Sequence, residues 1–406
     1  MRNHHSLRCG LIALLMTLSF TTSAQNVDNT FQTVGIKDNM PSFYQAIKAK
    51  LDFRMAWNPT IQLPAAPAQN KKGVPVKAPG LNLPEWRQAG RDKLWELTLQ
   101  SPDKTAFNPQ VISEVDRGSY VARKIVFNVT AESRVQAILL VPKGAGPFPA
   151  ALMLHDHGSK FDIGKEKWVE TWDNDARLES SKGWAKRFFS ERFPGDELAK
   201  RGYVVLATDA LGWGDRAALT FEIQQAVAAN MFNMGSSMAG LMALEDTRSA
   251  EFLASQPQVD RKKVAAVGFS MGAFRAWQVA ALSDAITASV AVNWMATTEG
   301  LMVPGNNQLK GSSAWTMLHP GVLRYLDFPD VASLAAPKPF LIFAGEKDGL
   351  FPLDSVKTAY AKMAKVWGAW QAADKFDARI LPGTHEYIKD TQEASFDWLD
   401  KTFGRK

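Results

Sequence analysis

The sequence predicts an α/β fold with a mostly parallel central sheet flanked by helices, preceded by a helical and extended N-terminal extension. Three observations support this. Short apolar strands alternate with helical patterns at 150–154, 204–207, 264–267, 288–292, 340–343 and 378–381. One of these strands runs through Gly-x-Ser-x-Gly into an amphipathic helix. Residues 111–141 show strand character broken by two turn signals, which predicts antiparallel hairpins leading the sheet.

The strand at 264–267 leads into Gly268-Phe269-Ser270-Met271-Gly272, and apolar residues then recur at helical spacing. A serine on a strained strand-to-helix turn, with glycine allowing close backbone approach on both sides, is the nucleophile elbow of the α/β-hydrolase fold. We therefore predict that Ser270 is the nucleophile. The N–H of Met271, at the positive end of the helix, is predicted to bind an oxyanion.

A nucleophilic serine needs a base, and in this fold the acid and then the histidine follow it along the chain, each after a strand. Of six histidines, only His385 lies late enough, on a turn after the strand at 378–381. The strand at 340–343 ends in a Gly-rich turn that carries Asp348, which is the predicted acid. Glu346 and Asp354 compete for that role, although Asp354 is expected to cap a helix that begins near Leu353.

Another apolar strand opens into the turn His155-Asp156-His157-Gly158. Enzymes of this fold place the second oxyanion N–H on the loop after the third strand, so this turn is its predicted source. The alternative is a metal site, because two imidazoles with a carboxylate between them suit zinc. The sequence shows no further ligand cluster. We therefore predict neither a metal nor a cofactor.

Four motifs together resemble the bacterial dienelactone-hydrolase-like and acetyl-xylan-esterase-like α/β-hydrolases. They are 155–158, 164–167, 198–216 and 268–272, and the resemblance spans about residues 110 to 402. Dienelactone hydrolase uses a cysteine nucleophile, whereas Ser270 stands here. In the related acetyl esterases the second residue after the motif histidine supplies an oxyanion N–H, which implies His157. Asp156 replaces the usual glycine between them.

The chain starts with a basic stretch, an apolar core at 11–20 and small residues before Gln25, which predicts a cleaved signal peptide over 1–24. An N-terminal helical and Pro-rich extension is expected over 25–110, with helices at 40–53 and 83–100, and a catalytic domain over 111–406. Cys9, the single cysteine, lies in the leader. The mature chain is thus expected in the periplasm or secreted, without disulfides and without a membrane span.

Two long insertions interrupt the alternation at strand ends, where open α/β sheets bind ligands. Residues 160–194 carry Trp168, Trp172 and Trp184, and residues 293–337 carry Trp294 and Trp315. Packing of these loops explains any single tryptophan. A cleft wall suited to sugar rings or aryl esters is the alternative, and Trp172 and Trp294 are the predicted substrate-binding residues.

These assignments predict a serine carboxylesterase with a Ser270–His385–Asp348 triad, an acetyl esterase of carbohydrate esters being the expected case. One alternative is a prolyl-oligopeptidase-like peptidase, although the N-terminal section is too short for a propeller. Another is a non-catalytic binding protein on the same fold, which an intact triad disfavours. The net charge of +6 at pH 7 is spread without a long Lys/Arg block, so nucleic acid is not an expected partner. The expected partner is a small-molecule or carbohydrate ester that serves as the substrate.

Overall fold

A computed structural model of the 406-residue chain describes residues 36–37, 40–41, 51–64, 68–69, 75–76, 81–303, 306–307 and 312–405. The predicted signal peptide over 1–24 lies outside the described residues. So does most of the helix predicted over 40–53, of which Met40–Pro41 forms a short strand and 51–53 are not helical.

Nine strands form the central sheet, in the spatial order β9-β8-β7-β6-β4-β5-β3-β2-β1. They are β1 (Gln110–Asp116), β2 (Tyr120–Asn128), β3 (Arg134–Pro142), β4 (Phe148–Leu154), β5 (Val204–Thr208), β6 (Val259–Phe269), β7 (Ala288–Val292), β8 (Phe340–Gly345) and β9 (Phe376–Leu381). Strands β4 to β9 pair in parallel, and β1, β2 and β3 form antiparallel hairpins that join the sheet through β5. The predicted sheet and its leading hairpins are confirmed.

Three pairs of two-residue strands lie outside this sheet. Ile36–Lys37 pairs with Met40–Pro41, Ala68–Gln69 with Pro75–Val76, and Met302–Val303 with Asn306–Asn307. None of them contributes to the arrangement of the strand ends described below.

Ten described helices connect and cover the strands. They are α1 (Leu83–Thr98), α2 (Asp175–Phe188), α3 (Pro194–Lys200), α4 (Phe221–Asn233), α5 (Met238–Ala254), α6 (Met271–Leu282), α7 (Thr298–Leu301), α8 (Phe328–Ser333), α9 (Leu353–Ala369) and α10 (Lys389–Thr402). Single 3₁₀ turns occupy Lys165–Lys167, Ser312–Thr316, Val322–Arg324 and Ala373–Lys375. Among the described residues, no helix combines the length and the apolar character needed to cross a membrane.

Helix α1 begins at a capping box. The Asn82 side chain accepts from the N–H of Glu85 at 3.0 Å, and the Glu85 carboxylate accepts from the N–H of Asn82 at 3.2 Å. Trp86 and Leu94 of this helix are buried, and the Trp86 indole donates to the carbonyl of Met55 at 2.8 Å. The helix predicted over 83–100 therefore forms, and Leu83, Trp86 and Leu94 pack it into the larger apolar cluster of the described chain.

The expected cap at Asp354 is wrong. Helix α9 begins at Leu353 with Pro352 in the capping position, and Asp354 lies in the first turn. Proline presets the backbone there, and a carboxylate in the first turn interacts favourably with the positive end of the helix. Asp354 thus stabilises the same helix from within its first turn.

Side chains of the central strands alternate between two apolar layers. In β6, Val264 and Ala266 face the layer that contains α1, α5, α6 and α9, whereas Ala265 and Val267 face the layer that contains α2, α3 and α10. A parallel strand covered on both faces must be apolar throughout, which is why this stretch reads as a continuous apolar run. The carboxyl ends of the strands meet at one edge of the sheet.

Candidate active site

The turn between β6 and α6 holds Ser270 in a backbone conformation that serine rarely adopts. Its φ is 55° and its ψ is −126°, and its N–H donates to the carbonyl of Val292 on the neighbouring strand at 2.8 Å. A non-glycine residue in such a region costs on the order of 1–3 kcal/mol and persists only where the surroundings enforce it. A Cβ on Gly268 would lie 1.9 Å from the carbonyl oxygen of Gly272, so the turn can close only with glycine there. The elbow predicted from the sequence is present.

The structure brings the three predicted triad residues together. His385 Nε2 lies 2.8 Å from Ser270 Oγ, and His385 Nδ1 lies 2.7 Å from Asp348 Oδ2. The second oxygen of Asp348 accepts from the N–H of Leu350 at 2.9 Å, and the residue is 7 % exposed. This chain can pass a proton from the serine hydroxyl to the imidazole while the carboxylate holds the Nδ1–H tautomer.

The two competing acids do not occupy this position. Glu346 and Asp354 are both exposed, and the hydrogen bonds described for His385 go to Asp348 and Ser270. The buried carboxylate is the one that a neighbouring imidazole can stabilise most strongly, because little water competes for it.

The loop that carries His385 is held by Asn293, a residue that the sequence analysis did not single out. Asn293 follows β7 with a φ of 58°, and its side-chain amide donates to the carbonyls of Thr384 at 3.2 Å and Glu386 at 3.1 Å. These two carbonyls flank His385 in the chain. A polar residue at the carboxyl end of a central strand was the only sequence signal for this role.

The ring nitrogens of His155 and His157 all have partners. His155 Nδ1 donates to the carbonyl of Asp156 at 2.9 Å, and His155 Nε2 accepts from the N–H of Ala210 at 3.0 Å. His157 Nε2 lies 2.6 Å from Gln224 Oε1, and His157 Nδ1 accepts from the N–H of Ser159 at 3.0 Å. Burial lowers the pKa of His155 well below its usual value and that of His157 to about 4. Both rings are therefore neutral, with tautomers set by their partners.

His319 is also committed elsewhere, because its Nε2 lies 2.6 Å from Gln278 Oε1, and desolvation lowers its pKa to about 4. Among the described histidines, His385 alone is paired with both a serine hydroxyl and a carboxylate. It is the one placed to act as a general base.

The predicted oxyanion donors flank Ser270. Met271 is the first residue of α6, and His157 and Gly158 line the same cavity as Ser270 and His385. Among the described residues, the backbone N–H groups of Met271 and His157 donate to no backbone carbonyl outside the regular helices and strands. Two such donors near a serine hydroxyl are what a developing oxyanion would require.

The cavity beside Ser270 and His385 has a volume of about 210 Å³ and mostly apolar walls. Trp294 lines it, as predicted, and so does Trp184. Trp172 does not line it, because this residue is half-buried against the apolar layer of α2, α3 and α10. Trp168 is fully buried and stacks on Phe189. The tryptophans of the first insertion thus divide between the cavity wall and the packing of the fold.

Glu166, Asp209 and Asp215 form a group of carboxylates close enough together to hold a cation. The ammonium of Lys165 lies between them, at 2.9 Å, 2.7 Å and 2.6 Å from their oxygens respectively. Burial disfavours that charge, but Asp209 and the other carboxylates outweigh it and raise the pKa of Lys165. A fixed ammonium therefore supplies the positive charge at this position.

Comparison with known proteins also identifies the chain as similar to hydrolases. A profile of the Abhydrolase family matches residues 77–375. "Putative hydrolase YtaP" of Bacillus subtilis (strain 168) is 26% identical over 289 residues, which is 71% of this chain and 90% of that protein.

Solved structures show the same fold. A "putative acetyl xylan esterase" from Bacteroides fragilis superimposes with a TM-score of 0.62 at 17% identity, covering 86% of this chain and 85% of its own. A glucuronoyl esterase from Solibacter usitatus gives 0.55 at 15% identity, with 85% and 99% covered.

Proposed function

The chain belongs to the Abhydrolase family, and from that premise we propose that it is a serine carboxylesterase that hydrolyses carbohydrate esters. The observation that carries this proposal is the hydrogen-bonded chain from Ser270 through His385 to Asp348 at the wall of a cavity. The prediction of a hydrolase with this fold, made from the sequence, is confirmed by the family match.

In the proposed mechanism, His385 Nε2 takes the proton of Ser270 as its oxygen attacks the acyl carbon. The carbonyl oxygen becomes an oxyanion and is bound by the N–H groups of Met271 and His157. The imidazolium, stabilised by Asp348, then returns the proton to the leaving alcohol, and an acyl-enzyme remains. Water repeats the attack with His385 again as the base, which releases the acid and restores the serine.

The dimensions of the cavity support a small acyl group. Its volume of about 210 Å³ is below the range of pockets that enclose drug-sized ligands, so the alcohol part of an ester must extend towards solvent. Trp184, Trp294 and Phe351 provide flat apolar faces of the kind that pack against sugar rings. The acetyl xylan esterase with this fold makes a carbohydrate alcohol the substrate class to test first. The glucuronoyl esterase, whose name gives the sugar as the acyl part of the ester, makes sugar-acid esters the second class.

A panel of substrates tests the proposal. Nitrophenyl acetate reports whether the triad functions, since its leaving group needs little help. Acetylated xylan, a methyl ester of glucuronic acid and a proline peptide then separate the substrate classes. Turnover of acetylated carbohydrate at the highest kcat/KM supports the proposal, and preferential cleavage of the proline peptide would favour a peptidase instead.

We also propose that the enzyme acts in the periplasm or outside the cell. The support is the sequence of residues 1–24, a basic start followed by an apolar core and small residues before Gln25. Fractionation of producing cells with N-terminal analysis tests this. A mature chain beginning at Gln25 outside the cytoplasm is the expected result, and a cytosolic chain with its leader intact would contradict it.

A further inference from the structure

We propose that Lys167 is a positioning residue for the oxyanion-binding loop. Its ammonium donates to the carbonyl oxygen of Asp156 at 2.9 Å and to that of His157 at 3.2 Å. The inference rests on the proposed function, because an oxyanion must form before a donor can bind it. Lys167 itself is absent from the cavity wall, so it acts through the backbone.

The two carbonyls that Lys167 binds belong to the peptide groups whose N–H ends are those of His157 and Gly158. Both peptide bonds are trans, so each N–H points away from its own carbonyl. An ammonium behind the carbonyls therefore orients both N–H groups to the other side of the loop. His157 and Gly158 line the cavity on that loop.

Each carbonyl also accepts a second hydrogen bond. His155 Nδ1 donates to Asp156 O at 2.9 Å, and the indole of Trp213 donates to His157 O at 3.2 Å. Four bonds on two successive carbonyls leave these peptide groups little freedom to rotate. Polarisation of a carbonyl also strengthens the N–H at the other end of the same peptide group as a donor.

The position of Lys167 suits this task because the ammonium is held in place and kept from water. The residue is fully buried, its Nζ lies 3.1 Å from Asp156 Oδ1, and it lies 4.7 Å from the ring centre of Trp184. Burial lowers the pKa of Lys167, and the Asp156 carboxylate opposes that effect. Asp156, which replaces the glycine of the related esterases, thus supplies the negative charge that balances the Lys167 ammonium.

The test is Lys167→Met, which keeps an unbranched side chain, one heavy atom shorter, and removes its donors. We expect kcat for nitrophenyl acetate to fall about 10- to 100-fold, less than the 10²- to 10³-fold cost of losing a direct oxyanion donor, with KM within about twofold. The inhibition constant of a trifluoromethyl ketone, which forms a tetrahedral oxyanion on the serine, should rise by the same factor as kcat/KM falls. Trp213→Phe, which removes one donor to the same loop, should give a smaller loss of the same kind.

Lys338 provides a matched control. It is a half-buried lysine that likewise donates to two backbone carbonyls, those of Ala280 at 2.8 Å and Ser283 at 2.7 Å, and it lies away from the cavity. Lys338→Met should lower the melting temperature but leave kcat and the ketone affinity within about twofold. If Lys167→Met does not fold because Asp156 is left unpaired, the double variant Asp156→Asn, Lys167→Met removes both charges and replaces it.

If a folded Lys167 variant keeps its kcat and its affinity for the ketone, the inference about Lys167 is wrong, while the proposed esterase function still stands. A loss of kcat without the parallel loss of ketone affinity would contradict the inference as well, since it would indicate a general structural effect. A wild-type protein that hydrolyses no ester and does not react with a fluorophosphonate would contradict the proposed function, and this inference with it.

Discussion

Gly272 leaves no space for a side chain against Leu154. A Cβ on this glycine would lie 1.8 Å from the carbonyl oxygen of Leu154, the last residue of the neighbouring strand β4. That strand leads directly into the predicted oxyanion loop, and Gly272 follows the proposed nucleophile by two residues. The second glycine of the elbow therefore sets the distance between the two halves of the site.

This contact predicts the result of Gly272→Ala. The added methyl group must push backbone away from backbone, so we expect the variant to lose several kcal/mol of stability or to fail to fold. Gly183 in helix α2 is the matched control, because a Cβ there meets no atom within 4 Å. Gly183→Ala should raise the free energy of unfolding by about 0.5–1 kcal/mol. Urea denaturation of both variants checks this, and a stable Gly272→Ala protein would contradict the described packing.

Asn293 offers a test of how the base is held. Asn293→Gly allows the same positive φ but removes the amide that binds the carbonyls on either side of His385. We expect kcat to fall about tenfold while KM changes little, because the imidazole spends less time aligned with Ser270. Steady-state kinetics on nitrophenyl acetate measures both values. An unchanged kcat would mean that the loop is held adequately without the amide.

The two predicted substrate-binding tryptophans should behave differently. Trp294→Phe reduces the aromatic surface that faces the cavity. The free-energy difference that expresses the preference for acetylated carbohydrate over nitrophenyl acetate should therefore change by about 1–3 kcal/mol. Trp172→Phe should leave this preference intact, because Trp172 packs away from the cavity. The ratio of kcat/KM for the two substrates is the measurement. Equal losses on both substrates in Trp294→Phe would indicate a purely structural role.

Acid pH should destabilise the folded state partly through His157. Burial lowers its pKa to about 4 in the folded protein, whereas an unfolded chain titrates near 6.5. Between these values the unfolded state binds more protons, so this contribution to stability is present above pH 6.5 and is lost as the pH falls towards 4. Buried Asp196, whose pKa is raised to about 6, acts in the opposite direction.

A single variant separates the contribution of His157 to the pH dependence of stability from that of Asp196. His157→Gln removes the titrating ring, so its urea midpoint should depend less steeply on pH between 6.5 and 4 than that of the wild type. The comparison concerns slopes, so a uniform loss of stability in the variant does not affect it. Parallel slopes would show that His157 does not titrate differently on folding.

The strands, and the meeting of the three side chains proposed as the triad, were predictable because each of these polar residues follows an apolar run along the chain. Ser270, Asp348 and His385 all lie just beyond strands that the sequence marks as buried, and parallel strands bring their carboxyl ends to one edge. At these positions the apolar pattern of each strand and the parallel order of the strands in the sheet predict the same location for the side chains.

The supporting contacts were not predictable from pattern. Asn293 bonds to carbonyls more than ninety residues away, and Lys167 bonds to backbone that any residue type would present. Such contacts depend on how loops meet. Trp172 failed as a cavity residue for a related reason, since an apolar side chain in an insertion can pack into either layer of the fold.

The triad should act as a unit. Ser270→Ala and His385→Ala should each lower kcat by about 10³-fold or more, and the double variant should cost little beyond either one. Asp348→Asn should be similar or milder. Its amide oxygen would accept from the N–H of Leu350, so its NH₂ group would face His385 Nδ1 and disfavour the tautomer that accepts the proton of Ser270, while the geometry is kept. Additive losses would mean that the residues work independently.

The most direct measurement of the central claim is mass mapping of the protein after reaction with a fluorophosphonate, beside hydrolysis of nitrophenyl acetate. We expect a single adduct on Ser270 in the wild type, no adduct in Ser270→Ala, and loss of esterase activity in step with labelling. An adduct on another residue, or near-native hydrolysis by Ser270→Ala, would contradict the assignment of this protein as a serine esterase.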